Sequence, residues 1–196
     1  QYVERCKHSN VMDFDDLLFN TNLLFSSFPD VLKQYQELFS FILIDEYQDT
    51  NYSQHLIVKA LAAKHQKVCA VGDDAQSIYS FRGANIDNIL TFQRDFPNCK
   101  LFKLEQNYRS AETILEAANS VICNNKQRIS KNLYSNLGRG NKLSLYRAND
   151  EADEALNLIR EVKRLSLTES LSDMAVLYRT NSQSRAIEEA CMANNI

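Results

Sequence analysis

"FILIDEYQDT" (residues 41–50) sets two acids, an amide and a third acid, Asp45, Glu46, Gln48 and Asp49, directly behind an apolar run. Such a run reads as a buried strand of a parallel sheet, and a charge at its end needs a cation, a partner or water. The cluster therefore marks a strand mouth. Adjacent Asp and Glu at that place suit phosphate hydrolysis, where the first carboxylate holds Mg²⁺ and the second polarises the attacking water. Alternating side-chain direction aims Asp45 and Glu46 differently, as those two tasks require. A polar strand end before an ordinary turn would present the same two letters, so the decision rests on the rest of the chain.

Two further stretches repeat the pattern of a strand ending in polar residues. "VGDDAQSIYSFRGAN" (71–85) mixes Gln, Ser, Tyr, Phe and Arg behind a β-like run. Gln76 can donate and accept at once, which suits a contact between a phosphate and a water. Phe81 beside Arg82 suits a base stacked near a phosphate, the alternatives being a core aromatic and a surface ion pair. "LEQNYRS" (104–110) places Tyr108 and Arg109 before a helix. An aromatic face can hold a purine and a guanidinium can clamp phosphate oxygens. The bland alternative is a half-buried Tyr with a solvated Arg.

The bulk numbers restrict the class. The 196 residues are 44% hydrophobic, enough for one globular domain or two small ones. Apolar runs are short and interrupted by charge, and "QYVERCKHSN" (1–10) lacks the apolar core of a signal peptide, so no membrane contact and a cytoplasmic location are expected. The formal net charge of −3 argues against holding nucleic acid by bulk positive charge, though not against a local groove. Five scattered cysteines with no CxxC pair read as reduced, mostly buried thiols. His8, His55 and His65 share no metal-ligand spacing and are expected in solvated or capping roles.

Periodicity alternates short β-like runs with amphipathic helical ones, the pattern of an α/β fold with mainly parallel sheets flanked by helices. Strands are predicted at 41–45, 67–72, 100–104, 142–147 and 173–179. Helices are predicted at 51–65, 85–96, 110–125, 150–165 and 182–194. The basic, aperiodic stretch "KQRISKNLYSNLGRGNK" (126–142) reads as a surface excursion.

Carboxylates, a Gln and a Tyr-Arg pair at three successive strand ends, together with "VLYRTNSQSR" (176–185) and "MDFDDLL" (12–18), closely resemble the superfamily-one DNA helicases of the UvrD, PcrA and Rep group. The resemblance covers nearly the whole chain. It implies parts of two RecA-like lobes that bind ATP and Mg²⁺ and move on single-stranded DNA. Residues 1–11 would end a preceding helical subdomain, 12–104 would form the later part of the first lobe, and 105–196 the first part of the second.

By this resemblance Asp45 coordinates Mg²⁺, Glu46 activates the hydrolytic water, and Gln76 contacts the γ-phosphate and couples hydrolysis to movement. Tyr108 stacks on adenine, and Arg109 is an arginine finger. Phe14, Tyr79, Phe81 and Arg82 handle the bases of the tracked strand, with Arg179 and Asn181 contributing from the second lobe. The family often has Trp where this chain has Phe81, which implies a smaller stacking face.

A G-x-x-x-x-G-K-[ST] phosphate loop is absent, and "NLGRGNK" (136–142) has neither the spacing nor the Ser or Thr. The chain is thus expected to be an internal piece of a helicase, inactive alone. The parent is expected to translocate 3′ to 5′, to act on single-stranded DNA and single-strand/duplex junctions, and to work with repair or replication proteins. Two other readings stand beside it: the helicase subunit of a helicase-nuclease complex, and a nucleic-acid-binding module without hydrolysis.

Overall fold

The structure is a computed structural model that describes residues 1–196, and it falls into two compact units, Gln1–Asn141 and Lys142–Ile196. The first unit opens with three helices. Helix α1 (Tyr2–Ser9) ends at Asn10, whose φ of 50° is a left-handed cap that Asn tolerates. Helix α2 (Phe14–Ser27) starts with a capping box: the Asp13 carboxylate accepts the Asp16 N–H at 2.8 Å and Asp16 returns the contact. Pro29 opens α3 (Pro29–Leu38), where its missing N–H would be unpaired anyway.

Strand β1 (Ile42–Ile44), helix α4 (Tyr52–Ala62) and strand β2 (Val68–Ala70) form a β-α-β unit. The strands pair in parallel with Ile42 opposite Val68 and Ile44 opposite Ala70. A second, smaller unit of the same kind follows: β3 (Gln106–Asn107), α7 (Glu112–Ile122) and β4 (Tyr134–Ser135), again parallel. Between the two lie α5 (Asp87–Leu90) and α6 (Phe92–Asp95). The first unit joins its helices by half-buried amide contacts, Asn22 Nδ2 to the Ser53 carbonyl at 3.1 Å and Gln36 Nε2 to the Ala60 carbonyl at 2.7 Å.

Tyr47 is the centre of this unit's core, with no exposed surface. Its ring meets Phe92 edge-on at 5.4 Å, and Phe92 packs on Phe96 at 4.7 Å. The Tyr47 hydroxyl lies 2.7 Å from His55 Nδ1, while His55 Nε2 lies 3.1 Å from Asp95, which Lys59 also pairs. Burial pulls the His55 pKa below its ordinary value despite the opposing charge of Asp95. A proton on Nε2 facing the carboxylate, with Nδ1 accepting from Tyr47, is the tautomer that satisfies both contacts. Burial, reinforced by Asp95, pushes the Tyr47 hydroxyl up to about 12.

In the second unit, α8 (Glu151–Leu165) buries Ala155 and Ile159 against α9 (Asn181–Ala193), and Lys163 donates to Asn194 at 2.7 Å. No helix of the chain is long and apolar enough to cross a membrane.

Several expectations need correction. Residues 100–104, 142–147 and 173–179 are not strands, apart from a 3₁₀ turn at Leu171–Asp173 that overlaps the last. Their apolar side chains stand open, Leu145 at 98% and Leu177 at 94%, because no neighbouring strand completes a ladder beside them. The single helix predicted over 85–96 is two, interrupted at Thr91, whose hydroxyl bonds the Asp87 carbonyl at 2.7 Å. His55 is a buried hydrogen-bonded residue, not a solvated one. None of the five cysteines is buried. The stretch 126–142 is not simply an excursion, since it contributes β4 and packs Lys131 inward.

Gly72 shows how tightly the two strand ends approach. A Cβ there would lie 2.6 Å from Gln48 Oε1, 2.9 Å from Ile89 Cδ1 and 3.2 Å from the Tyr47 nitrogen. Gly72→Ala is expected to destabilise the chain by ~1–3 kcal/mol in urea unfolding, the usual penalty of overpacking. An unchanged midpoint would mean that Gln48 is free to move aside.

Candidate functional site

The site grows from the ends of β1 and β2. After Ile44 the chain turns at Glu46, whose φ of 49° and ψ of 42° lie in the left-handed region, a conformation that costs a non-glycine residue about 1–2 kcal/mol. Surrounding contacts hold it there. The Tyr47 N–H donates to the Val71 carbonyl at 2.9 Å, the Glu46 N–H to Asp45 Oδ1 at 2.9 Å, and Gln48 Nε2 to Glu46 Oε2 at 2.7 Å. Both Asp45 and Glu46 remain exposed, as groups that meet a ligand must.

Gln48 is 1% exposed and faces two ways. While its amide nitrogen holds Glu46, its Oε1 accepts the Asp73 N–H at 2.9 Å. Asp73 then receives the Ala75 N–H on Oδ1 at 3.0 Å and Gln76 Nε2 on Oδ2 at 2.8 Å. A continuous hydrogen-bonded line thus runs Glu46, Gln48, Asp73, Gln76. Lys131 closes the far side, pairing with Asp73 and, at 3.1 Å, with Asp74. Asp74 is 4% exposed and also accepts the Ile129 N–H at 2.9 Å. Burial pushes the Asp73 carboxyl up, but hydrogen bonds from Lys131 and Gln76 outweigh it and hold the group below its ordinary value. Burial likewise opposes the charge on Lys131, and the two carboxylates overcome it, raising its pKa.

The same loop carries an exposed shelf. Tyr79 and Phe81 lie 6.0 Å apart between ring centroids, and the Arg82 guanidinium sits 5.5 Å from the first and 5.3 Å from the second. Phe81 is 70% exposed, which rules out the core alternative, and Arg82 makes a cation–π contact in place of an ion pair. Phe14, the first residue of α2, is 88% exposed.

Tyr108 and Arg109 occupy the turn after β3, shaped by Asn107, whose Oδ1 accepts the Arg109 and Ser110 N–H groups at 2.9 and 2.7 Å. Both side chains are exposed, and neither bonds to Glu46 or Gln76. Arg179 and Asn181 belong to the second unit, at the start of α9, where Gln183 Oε1 accepts the Arg179 and Thr180 N–H groups, each at 2.9 Å.

No three His, Cys, Asp or Glu side chains gather into a self-sufficient metal site. Mg²⁺ needs only one or two carboxylates when phosphates and water fill its other positions. Asp45 meets that requirement, exposed and with one oxygen engaged by a neighbouring N–H. Asp49, on the same 3₁₀ turn as Gln48, also keeps a buried carboxylate oxygen without a hydrogen-bond partner.

Reading the sequence alone misses Gln48, Asp73, Asp74 and Lys131 as working parts of the site. A signal for the first three was present, since polar residues flanking a strand end need partners, although the run itself is not buried as its apolar composition predicts, Leu43 being 75% exposed. Lys131 had none, because it lies in an aperiodic stretch whose pairing is set by the tertiary fold.

Residues 1–97 match the UvrD/REP helicase N-terminal domain, and residues 102–196 match the UvrD-like helicase C-terminal domain. The chain is 48% identical over its full length to proteins named ATP-dependent DNA helicase PcrA from Leuconostoc citreum and Staphylococcus aureus, covering 26% and 27% of their lengths. It is 48% identical, over 97% of the chain, to the protein of that name from Bacillus subtilis. The chain spans about a quarter of the length of these relatives.

The depressed Asp73 pKa ties stability to pH. A carboxylate with a folded pKa below its unfolded one contributes stability that is present above the unfolded value and lost as pH falls through the folded value. Urea midpoints are therefore expected to hold from neutrality down to the ordinary carboxylate range and to fall below it. Asp73→Asn is expected to flatten that fall; an undiminished acid slope in the variant would show that Asp73 is not held by these bonds.

Proposed function

The chain belongs to the UvrD/REP helicase family, whose helicase domains have a RecA-like fold, and from this premise we propose that it is an internal part of an ATP-dependent DNA helicase. In this reading residues 12–104 form the later part of one motor lobe and 105–196 the first part of the other, with 1–11 ending a helical subdomain. The parent couples ATP hydrolysis to 3′ to 5′ movement on single-stranded DNA and to opening of single-strand/duplex junctions in repair or replication. The observation that carries the reading is the hydrogen-bonded line from Glu46 through Gln48 and Asp73 to Gln76.

Each residue has a task that its setting suits. Glu46 is exposed, yet one of its oxygens is fixed by Gln48 at 2.7 Å, so its free oxygen is aimed and ready to take a proton from an attacking water. Asp45 would hold Mg²⁺, which when bound supplies neutralisation of phosphate charge. Gln76 presents an exposed carboxamide whose second N–H and carbonyl oxygen remain available to a phosphate and a water. Tyr108 offers an open face to adenine, and Arg109 an unpaired guanidinium to the γ-phosphate. The shelf of Tyr79, Phe81 and Arg82, with Phe14, Arg179 and Asn181, offers stacking and hydrogen-bonding surface to unpaired bases without reading their sequence.

The test uses the full-length protein that contains this chain, assayed for ATP hydrolysis with and without single-stranded DNA. Glu46→Gln is expected to lower DNA-stimulated turnover by roughly 10²-fold or more, the usual contribution of a general base. Arg109→Ala is expected to lower it by about 10³-fold or more. The 196-residue chain alone, which has no G-x-x-x-x-G-K-[ST] run, is expected to show no turnover. Binding of single-stranded DNA without any hydrolysis would favour the binding-module reading instead.

A further inference from the structure

The contact between Lys131 and the loop 73–76 joins the two matched domains, since Asp73 and Asp74 lie in the N-terminal match and Lys131 in the C-terminal one. It is made of polar bonds. Lys131 pairs with both carboxylates, and the Ile129 N–H donates to Asp74. Beside it lies an open cavity of about 460 Å³, walled by Ala118, Val121, Ile122 and Leu133. Bonds of this kind next to open space can break without repacking a core, whereas a close-packed apolar contact could not. The Lys131 side chain is 19% exposed, so the pair is shielded from salt more than a surface ion pair would be.

One carboxylate links this contact to the proposed chemistry. Asp73 takes Lys131 on Oδ1 and the Gln76 carboxamide on Oδ2. With Lys131 in place the carboxylate is oriented and half of the charge on the adjacent Asp73 and Asp74 is neutralised. If the segment 128–133 moves away, two neighbouring carboxylates lose their cation, and the Ala75 N–H alone is left to hold the carboxylate that aims Gln76. We propose that Lys131 is a positioning residue, a latch through which the placement of the second domain sets the aim of Gln76 and hence the response of hydrolysis to DNA. This inference rests on the proposed function and adds to it the residue that carries the signal between the domains.

The experiment measures ATP turnover of the full-length protein, with and without single-stranded DNA, alongside thermal melting. Wild type comes first: no stimulation by DNA would overturn the functional reading itself, and the latch with it. Given stimulation, Lys131→Met is expected to reduce DNA-stimulated kcat by about fivefold or more, in the range of coupling effects. The KM for ATP should stay within about twofold, because the nucleotide-binding groups are untouched. Lys131→Arg, which keeps the cation, should recover at least half of the stimulation.

Removing Lys131 also strands the buried Asp74 charge, so the variant could simply unfold. Lys131→Met combined with Asp74→Asn removes that charge while keeping the acceptor for the Ile129 N–H. A double variant that melts like wild type but stays unresponsive to DNA supports the latch. Recovery of stimulation together with melting temperature would overturn it, showing that Lys131 only balances Asp74. Wild-type stimulation in Lys131→Met alone would overturn it as well.

Discussion

The carboxamide of Gln48 holds the site together. Its nitrogen fixes the Glu46 carboxylate at 2.7 Å and its oxygen accepts the Asp73 N–H at 2.9 Å, so one buried side chain ties the ends of two parallel strands. A buried amide with unmet bonds would be costly, and both of its polar atoms are occupied here. The bridge explains two other features. Gly72 must lack a side chain because Gln48 Oε1 fills the space a Cβ would enter. Glu46 can keep a left-handed backbone because Gln48 at its side chain and the buried Tyr47 next to it both hold it in place.

Beneath this bridge the Tyr47–His55–Asp95–Lys59 network anchors the turn from below. His55 projects from α4 and Asp95 from α6, so the turn that carries Glu46 is fastened to two helices as well as to β2. His55 between a phenol and a carboxylate meets both with its two ring nitrogens, while Lys59 reaches the same carboxylate from a half-exposed position. Rigidity at Glu46 thus comes from polar groups with matched partners, set in a small aromatic cluster.

What the sequence disclosed follows the range of the interactions. Local signals were legible: "FILID" and "KVCAVG" hold β1 and β2, and the helices predicted from residues 51 and 150 start where Asn51 and Asp150 cap. The runs at 100–104, 142–147 and 173–179 have strand composition, but a strand also needs a neighbour, and composition cannot supply one. The exposed polar residues of the site were legible because each ends an apolar run. Lys131 was not, since its pairs with Asp73 and Asp74 span 58 and 57 positions. His55 was misread for the same reason: its partner Asp95 lies on another helix.

The loop after β2 shows how the fixed and the open parts of the site are joined. It carries Gln76 at one end and the Tyr79, Phe81 and Arg82 shelf at the other, and both ends are pinned to the turn 47–51. Ser77 donates its hydroxyl to the Gln48 carbonyl at 3.3 Å, the Asn85 N–H donates to the Thr50 carbonyl at 3.0 Å, and Asn88 reaches the same carbonyl at 3.0 Å. Between those pins the aromatic side chains stay exposed. A loop held at both ends to the residues around Glu46 cannot shift its middle freely, because displacement of the shelf must strain bonds to the turn that positions the carboxylate. Under the proposed function, a base stacking on Phe81 would therefore act on the same short network that aims Gln76, with no long chain of intermediaries between the DNA surface and the phosphate-facing side chains.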